Sequence, residues 1–224
     1  VTVPMAEVEI LVTGSGLPLE GVKVYAFTAS GTYLGFSDTT DASGTTIFKL
    51  AAGDYKFRAD YQGSQFWSAE ESLIAGQVNP VSISTGGGIF SFTVQKETND
   101  HLAGVTCYVF SEAGTYLGMT EVTSIEGLVN FNLAEGNYKF RVDYLGYQFW
   151  SQAYTVPDTL SASMNIPHEE VTIMVEGDYQ GPEPISGVPV YLFIAAGTYM
   201  NQNQTTDATG IVVFNLPEQS YKVR

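Results

Sequence analysis

Residues Tyr55–Ser68 read YKFRADYQGSQFWS, residues Tyr138–Ser151 read YKFRVDYLGYQFWS, and Tyr221–Arg224 begin the phrase again as YKVR. The spacing extends upstream. Gly21, Gly104 and Gly187 each open a Gly-Val run, and Gly31, Gly114 and Gly197 each open Gly-Thr-Tyr. Gly44, Gly127 and Gly210 follow, then Phe48, Phe131 and Phe214, every step being 83 residues. Constant spacing over this block means tandem duplication without insertion. A unit of this length suits one small domain per copy rather than a solenoid turn.

Each copy reads as all-β. In the first, the runs VEILV, VKVYAFT, TYLGFSD, TTIFKL, YKFRADY, QFWS and PVSIS are separated by TGSG, ASG, DASG, AAGD and QGS. Short β-branched and aromatic runs between turn residues are the pattern of a β-sandwich. Side chains alternate faces along a strand. Tyr55, Phe57 and Ala59 therefore face the core, with Lys56, Arg58 and Asp60 outward. In the opening strand Val22, Val24 and Ala26 face inward, and Cys107 takes a Val position as a buried, inert thiol.

The other face of that strand carries Tyr25 and Phe27, Tyr108 and Phe110, Tyr191 and Phe193. With Lys56 and Arg58, and Lys139 and Arg141, they are expected to form an outer stripe in which Arg lies over Tyr. Such a stripe is covered by the domain's own loops, serves as a contact surface between repeats or chains, or stacks on carbohydrate. Trp67 and Trp150, the two tryptophans, are expected in the core or covering an edge; the alternative is a glycan platform of Tyr61, Phe66 and Trp67, and of Tyr144, Phe149 and Trp150.

Composition narrows the function. The 224-residue chain is 44% hydrophobic, enough for packed cores, yet carries 24 Asp and Glu against 9 Lys and Arg. A net charge of −15 lacks the basic footprint that nucleic acid or an anionic membrane surface demands. One cysteine forms no intrachain disulfide, and no apolar run approaches a membrane helix. Ser-His-Asp, HExxH, CxxC and phosphate-loop patterns are missing, so neither an enzyme nor a cofactor site is expected. Asp38 and Asp41 are candidate Ca²⁺ ligands, but Asp38 becomes Glu121 and Gln204 and Asp41 becomes Ser124, which favours turn chemistry. Asn203 lies in a glycosylation sequon, and His101 and His168 lie near repeat junctions. The Gly86–Gly88 run reads as a hinge-like linker.

TTDASGTTIFKLAAGDYKFRADYQG from Thr39 and TTDATGIVVFNLPEQSYKVR from Thr205 resemble the T-D-x-x-G-x-x-x-F-x-L-x-x-G-x-Y phrase of carboxypeptidase-regulatory-like and collagen-adhesin B-type repeats. Ser124 departs from it in the second copy. The resemblance implies tandem seven-stranded Greek-key sandwiches, immunoglobulin-like or prealbumin-like, used as stalks, adhesins or accessory modules. The internal Lys–Asn isopeptide bond of the adhesin repeats is not expected. Its Lys23 becomes Thr106 and Pro189, and no last-strand asparagine matches.

The expected division is residues 1–4 as the last strand of a preceding repeat, then repeats at 5–85, 86–167 and 168–224, the third incomplete. VTVP-MAEVEI at the start parallels MNIP-HEEVTI at Met164, and the third copy stops before the equivalents of Asp60–Ser84. A window on a longer array, or strands donated by a neighbouring chain, accounts for both. The expected function is a non-catalytic extracellular stalk or fibre on a bacterial surface. Its partners would be neighbouring repeats and further copies in a filament. The alternatives are an adhesin-type module for glycans or surface proteins, and accessory domains of a larger secreted enzyme.

Overall fold

A computed structural model describes residues 2–178 and 181–224. The first repeat runs β1 (Met5–Gly14), β2 (Leu17–Pro18), β3 (Lys23–Thr28), β4 (Tyr33–Thr39), β5 (Thr45–Ala51), β6 (Gly53–Tyr61), β7 (Ser64–Trp67), β8 (Glu71–Leu73) and β9 (Val78–Ser84). The second runs β10 (Gly88–Glu97), β11 (Asp100–His101), β12 (Thr106–Ser111), β13 (Tyr116–Val122), β14 (Leu128–Leu133), β15 (Gly136–Tyr144), β16 (Tyr147–Trp150), β17 (Tyr154–Val156) and β18 (Ser161–Asn165). The third holds β19 (His168–Met174), β20 (Glu176–Asp178), β21 (Pro182–Pro184), β22 (Pro189–Ile194), β23 (Tyr199–Thr205), β24 (Ile211–Pro217) and β25 (Tyr221–Val223).

The chain is all-β, and each complete repeat is a sandwich of two sheets. In the first, β1 lies between antiparallel β5 and parallel β9, with β2 on its end; the facing sheet has the order β4-β3-β6-β7, with β8 on β6. Alternation explains the core. Val8, Ile10 and Val12 from one sheet meet Val24, Ala26, Phe57 and Ala59 from the other. Burying Phe57 alone is worth about 1.5–3 kcal/mol. The second repeat builds the same sandwich around larger rings, with Phe90 and Phe92 stacked on Phe140 at 4.8 and 4.5 Å. Cys107 sits in that core, and desolvation pushes its thiol up to about 12.

Two polar devices recur at the 83-residue step. Thr40, Thr123 and Thr206 are buried, and each clamps the loop before the opening strand. Thr40 Oγ1 donates to the Leu19 carbonyl at 2.6 Å and accepts from Val22 N at 2.9 Å, as Thr123 does with Leu102 and Val105, and Thr206 with Ile185 and Val188. Tyr55, Tyr138 and Tyr221 each donate their hydroxyl four residues back, to Ala51, Ala134 and Pro217. The step itself breaks in the first strand of each sandwich. Val8, Phe90 and Val171 occupy equivalent positions opposite Phe48, Phe131 and Phe214, so their spacings are 82 and 81 residues.

One expectation is corrected. The Gly86–Gly88 run is not a hinge: Ser15 N donates to the Gly86 carbonyl at 3.1 Å and Glu135 N to the Thr85 carbonyl at 2.8 Å. Gly87 has φ +92°, and a Cβ there would run into the Leu133 carbonyl, so glycine is required for close packing rather than freedom. The last strand of the first repeat does hold an asparagine, Asn79. Its amide is spent on the Glu7, Ile74 and Gln77 carbonyls and on Ile74 N, while Lys23 is exposed, so the two do not form an isopeptide pair.

Candidate functional surfaces: repeat junctions and the outer aromatic face

The phrase that marks the repeat also builds the junctions. Gln62 and Gly63 join β6 to β7 with φ of 48° and 79°, and Leu145 and Gly146 join β15 to β16 with 50° and 80°. Positive φ at both central residues is what a two-residue type I′ hairpin needs, and Asn or Gly would fill the first position more cheaply. Gln and Leu stand there with their side chains in the next repeat.

Gln62 reaches the edge of the following sandwich. Its Oε1 accepts from Ala134 N at 2.8 Å and its Nε2 donates to the Asn132 carbonyl at 3.0 Å. The pair satisfies both groups as a peptide unit of an added strand would, capping an exposed edge. Nε2 also lies 3.6 Å from Met119 Sδ, and a Cβ on Gly63 would stand 3.1 Å from Leu117. Ala134 is 2% exposed and Tyr138 is buried, its hydroxyl pushed up to about 12 by desolvation.

The second junction uses the same turn with different chemistry. Leu145 packs against the core of the third repeat. Tyr147 stacks edge-on against Tyr221 at 5.7 Å; its hydroxyl donates to the Ser220 carbonyl and accepts from Ala195 N at 3.3 Å. His168 completes this junction. Nδ1 donates to the Ile166 carbonyl at 2.7 Å, which leaves Nε2 to accept from the Tyr144 hydroxyl at 3.2 Å. Burial lowers the pKa of His168 and raises that of Tyr144, so both favour this neutral arrangement.

The outer stripe forms a compact cluster on each complete sandwich. The Arg58 guanidinium lies 4.7 Å from the Tyr25 ring, 5.2 Å from Phe27 and 5.7 Å from Trp67, with Asp60 holding it through Nε at 2.7 Å and Nη2 at 3.0 Å. Arg141 repeats this over Tyr108, Phe110 and Trp150, paired with Asp143 at 2.8 Å. A bulge between Tyr25 and Phe27 brings Tyr33 against both rings. Phe27 and Phe110 are buried beneath the cluster, and Lys56 approaches Glu70 at 3.8 Å. In the third repeat Tyr191, Phe193, Tyr199 and Arg224 line a shallow concavity of about 330 Å³, and Lys139 keeps the position of Lys56.

The core position and the glycan platform expected for tryptophan are corrected; Trp67 lies on β7, the end strand of the order β4-β3-β6-β7. Trp67 pairs with Arg58 across the hairpin and so shares its outer face, 45% exposed, neither in the core nor beside Tyr61 and Phe66. Tyr61 and Phe66 pack on the core side. Tyr144, Phe149 and Trp150 divide in the same way. The register that places them was available in the QG tip: a two-residue turn sets Tyr61 opposite Ser64 and hence Arg58 opposite Trp67.

Asp41 caps its own turn, accepting from Ser43 N, Ser43 Oγ and Thr45 N, bonds that lower its pKa; Asp207 does the same with Thr209 and Ile211. Asp38 accepts from Thr39 N and Thr46 Oγ1. Ser124 takes the Asp41 role with Glu126 beside it. Among the described residues no three His, Cys, Asp or Glu side chains converge on a metal position, and no helix is long and apolar enough to cross a membrane. Asn203 is exposed on β23 and donates to the Tyr199 hydroxyl at 3.0 Å.

No protein-family profile matches the chain, and no curated protein is significantly similar to it. Among solved structures it is similar to the Bacillus anthracis TIE protein, with 16% identity, TM-score 0.34 and coverage of 99% of this chain and 45% of that one. It is also similar to the minor pilin GBS52 of Streptococcus agalactiae, with 14% identity, TM-score 0.40 and coverage of 71% and 94%. The shaft pilin SpaA of Lactobacillus rhamnosus GG matches with 11% identity, TM-score 0.39 and coverage of 72% and 96%. The chain thus spans less than half of the TIE protein.

Proposed function

We propose that the chain is a non-catalytic structural array, a stiff segment of a stalk or fibre on a bacterial surface. The observation that carries this reading is the junction. Each hairpin tip plugs into the next sandwich, and the linker beside it is hydrogen-bonded rather than free. Because β9 leads directly into β10 through a pinned connection, the reading has successive repeats stacked along their strands. At about 3.3 Å per residue, ten-residue strands give each repeat roughly 30 Å of length. The acidic surface favours an extended, soluble rod through self-repulsion. The resemblance to collagen-adhesin B-type repeats motivates the extracellular location.

Small-angle scattering tests the reading. The pair-distance distribution is expected to be that of a rod that lengthens by a fixed increment when another repeat is added. A compact particle, or a distribution broadened by bending between repeats, contradicts it.

A second reading rests on the outer cluster. Trp67 and Tyr33 are both about half exposed and recur as Trp150 and Tyr116, a periodic aromatic surface suited to stacking on sugar rings. A glycan array with Trp67→Ala as control decides it: binding that is absent, or indifferent to that change, removes it.

A further inference from the structure

Two copies of one docking arrangement are filled in this chain, and a third has the same parts with no tip on it among the described residues. The edge that receives Gln62 is β14, whose residues alternate between facing β10 and facing outward. Val94 N bonds to the Gly127 carbonyl, which turns Phe131 and Leu133 toward β10 and leaves Asn132 and Ala134 outward. In the first repeat Val12 N bonds to the Gly44 carbonyl and Ala52 N to the Pro4 carbonyl, so Lys49 and Ala51 on β5 face outward in the same way. The Ala51 N–H and the Lys49 carbonyl are therefore placed as their counterparts at Ala134 and Asn132 are. Among the described residues neither group has a hydrogen-bond partner.

The surroundings match. Leu34, Phe36 and Tyr55 stand where the second repeat has Leu117, Met119 and Tyr138. Ala134 and Tyr138 are buried beneath the Gln62 tip, whereas Ala51 and Tyr55 are half-buried and Phe36 is 51% exposed. The third repeat shows what a change of tip requires. Its equivalent of Ala134 is Pro217, which has no N–H to give a carboxamide, and the tip that meets this repeat carries Leu145. Tip and edge thus vary together: an N–H donor faces Gln, and a proline accompanies Leu.

We propose that the outer edge of the first sandwich, formed by Leu34, Phe36, Lys49, Ala51 and Tyr55, is a docking socket for the carboxamide-tipped β-hairpin of another repeat of this type. The inference rests on the junction reading above and adds the partner's chemistry. The occupant carries Gln at the first tip position, its amide bridging Ala51 N and the Lys49 carbonyl, with its glycine against Leu34. A Leu tip leaves the Ala51 N–H without a partner and is discriminated against.

The test lengthens the chain by one repeat, placing residues 1–89 ahead of Val8 so that the native first junction is copied. Amide hydrogen exchange is then followed by NMR. Ala51 of the original first repeat is expected to slow by about tenfold or more against the unextended chain, as one buried hydrogen bond implies. Gln62→Leu in the added repeat is expected to return it to the fast rate. Ala51 exchanging equally fast with and without the added repeat, while Ala134 stays protected, overturns the proposal. Unprotected Ala134 in the unextended chain defeats the junction reading itself. A second measurement is independent of how the added repeat folds. A cyclised peptide of Asp60–Phe66 is titrated into the 224-residue chain, with its Gln62→Leu version as control. Cyclisation is needed because isolated hairpins are marginal. Shifts confined to Lys49, Ala51 and their neighbours, larger for the Gln peptide, support the proposal; no shifts there, or equal shifts from both peptides, overturn it.

Discussion

Replacing Gln62 by alanine isolates the first junction, because the side chain contributes nothing to its own core. The substitution removes two hydrogen bonds to main-chain groups of the next repeat, one of them to an amide on a residue that is 2% exposed. A net hydrogen bond is worth about 0.5–1.5 kcal/mol, and a buried N–H left unpaired costs about 1–3 kcal/mol. Gln62 is itself half-buried and water reaches part of the gap, so about 1–3 kcal/mol of coupling between repeats is the expected loss. At 1.4 kcal/mol per factor of ten, this is about a 5- to 150-fold faster exchange of the Ala134 amide. Amides of Glu7–Leu11 in β1, on the facing sheet, are expected to keep their rates. Unchanged exchange at Ala134, or a uniform acceleration throughout the first repeat, would refute the junction reasoning.

Other outcomes follow from the same contacts. Thr40→Val keeps shape but leaves the Leu19 carbonyl and Val22 N–H unpaired; a loss of about 2–4 kcal/mol is expected in urea unfolding of the first repeat, and a cost below ~1 kcal/mol contradicts the clamp. Gly87→Ala forces a Cβ onto the Leu133 carbonyl at positive φ, and is expected to loosen the linker by at least ~2 kcal/mol, read as deprotection of Glu135 N; unaltered protection there contradicts the pinned linker. His168 is held below its ordinary pKa by burial, so the native state binds fewer protons than the unfolded one. The second junction is therefore fully stable above about pH 6.5 and weakens as pH falls below it, and His168→Gln should flatten that slope in thermal unfolding; a slope that survives the change contradicts the assignment. The Cys107 thiol, buried and pushed up to about 12, should resist aromatic disulfide reagents at pH 8 until the second repeat unfolds, and rapid labelling of folded protein contradicts its placement.

The sandwich was legible because two periodicities agree. The 83-residue step fixes the unit, and alternation within YKFRADY places Tyr55, Phe57 and Ala59 inward. Thr40, Thr123 and Thr206 were equally available from the spacing, yet a threonine in a turn phrase carries no mark of the two main-chain groups it clamps. Trp67 was misplaced because hydrophobicity alone argues for the core. The two-residue tip before it fixes the register and argues for the face of Arg58. The junctions were not legible for a different reason. Gln62 and Leu145 occupy the same position but use unlike chemistry, and the partners of Gln62 lie about 70 residues away along the chain on an edge strand that only the fold creates. The Gly86–Gly88 run shows the same limit: glycine composition signals freedom, whereas the Leu133 carbonyl turns it into a constraint.

The central claim is that consecutive sandwiches are held as one stiff body by tip-in-socket junctions. Residual dipolar couplings measured for strands of the first and second repeats in one aligned sample test it most directly. The account predicts a single alignment tensor, equal in magnitude and rhombicity for β1, β5 and β6 and for β10, β14 and β15. Two tensors of different magnitude, meaning that the repeats reorient independently, would contradict it.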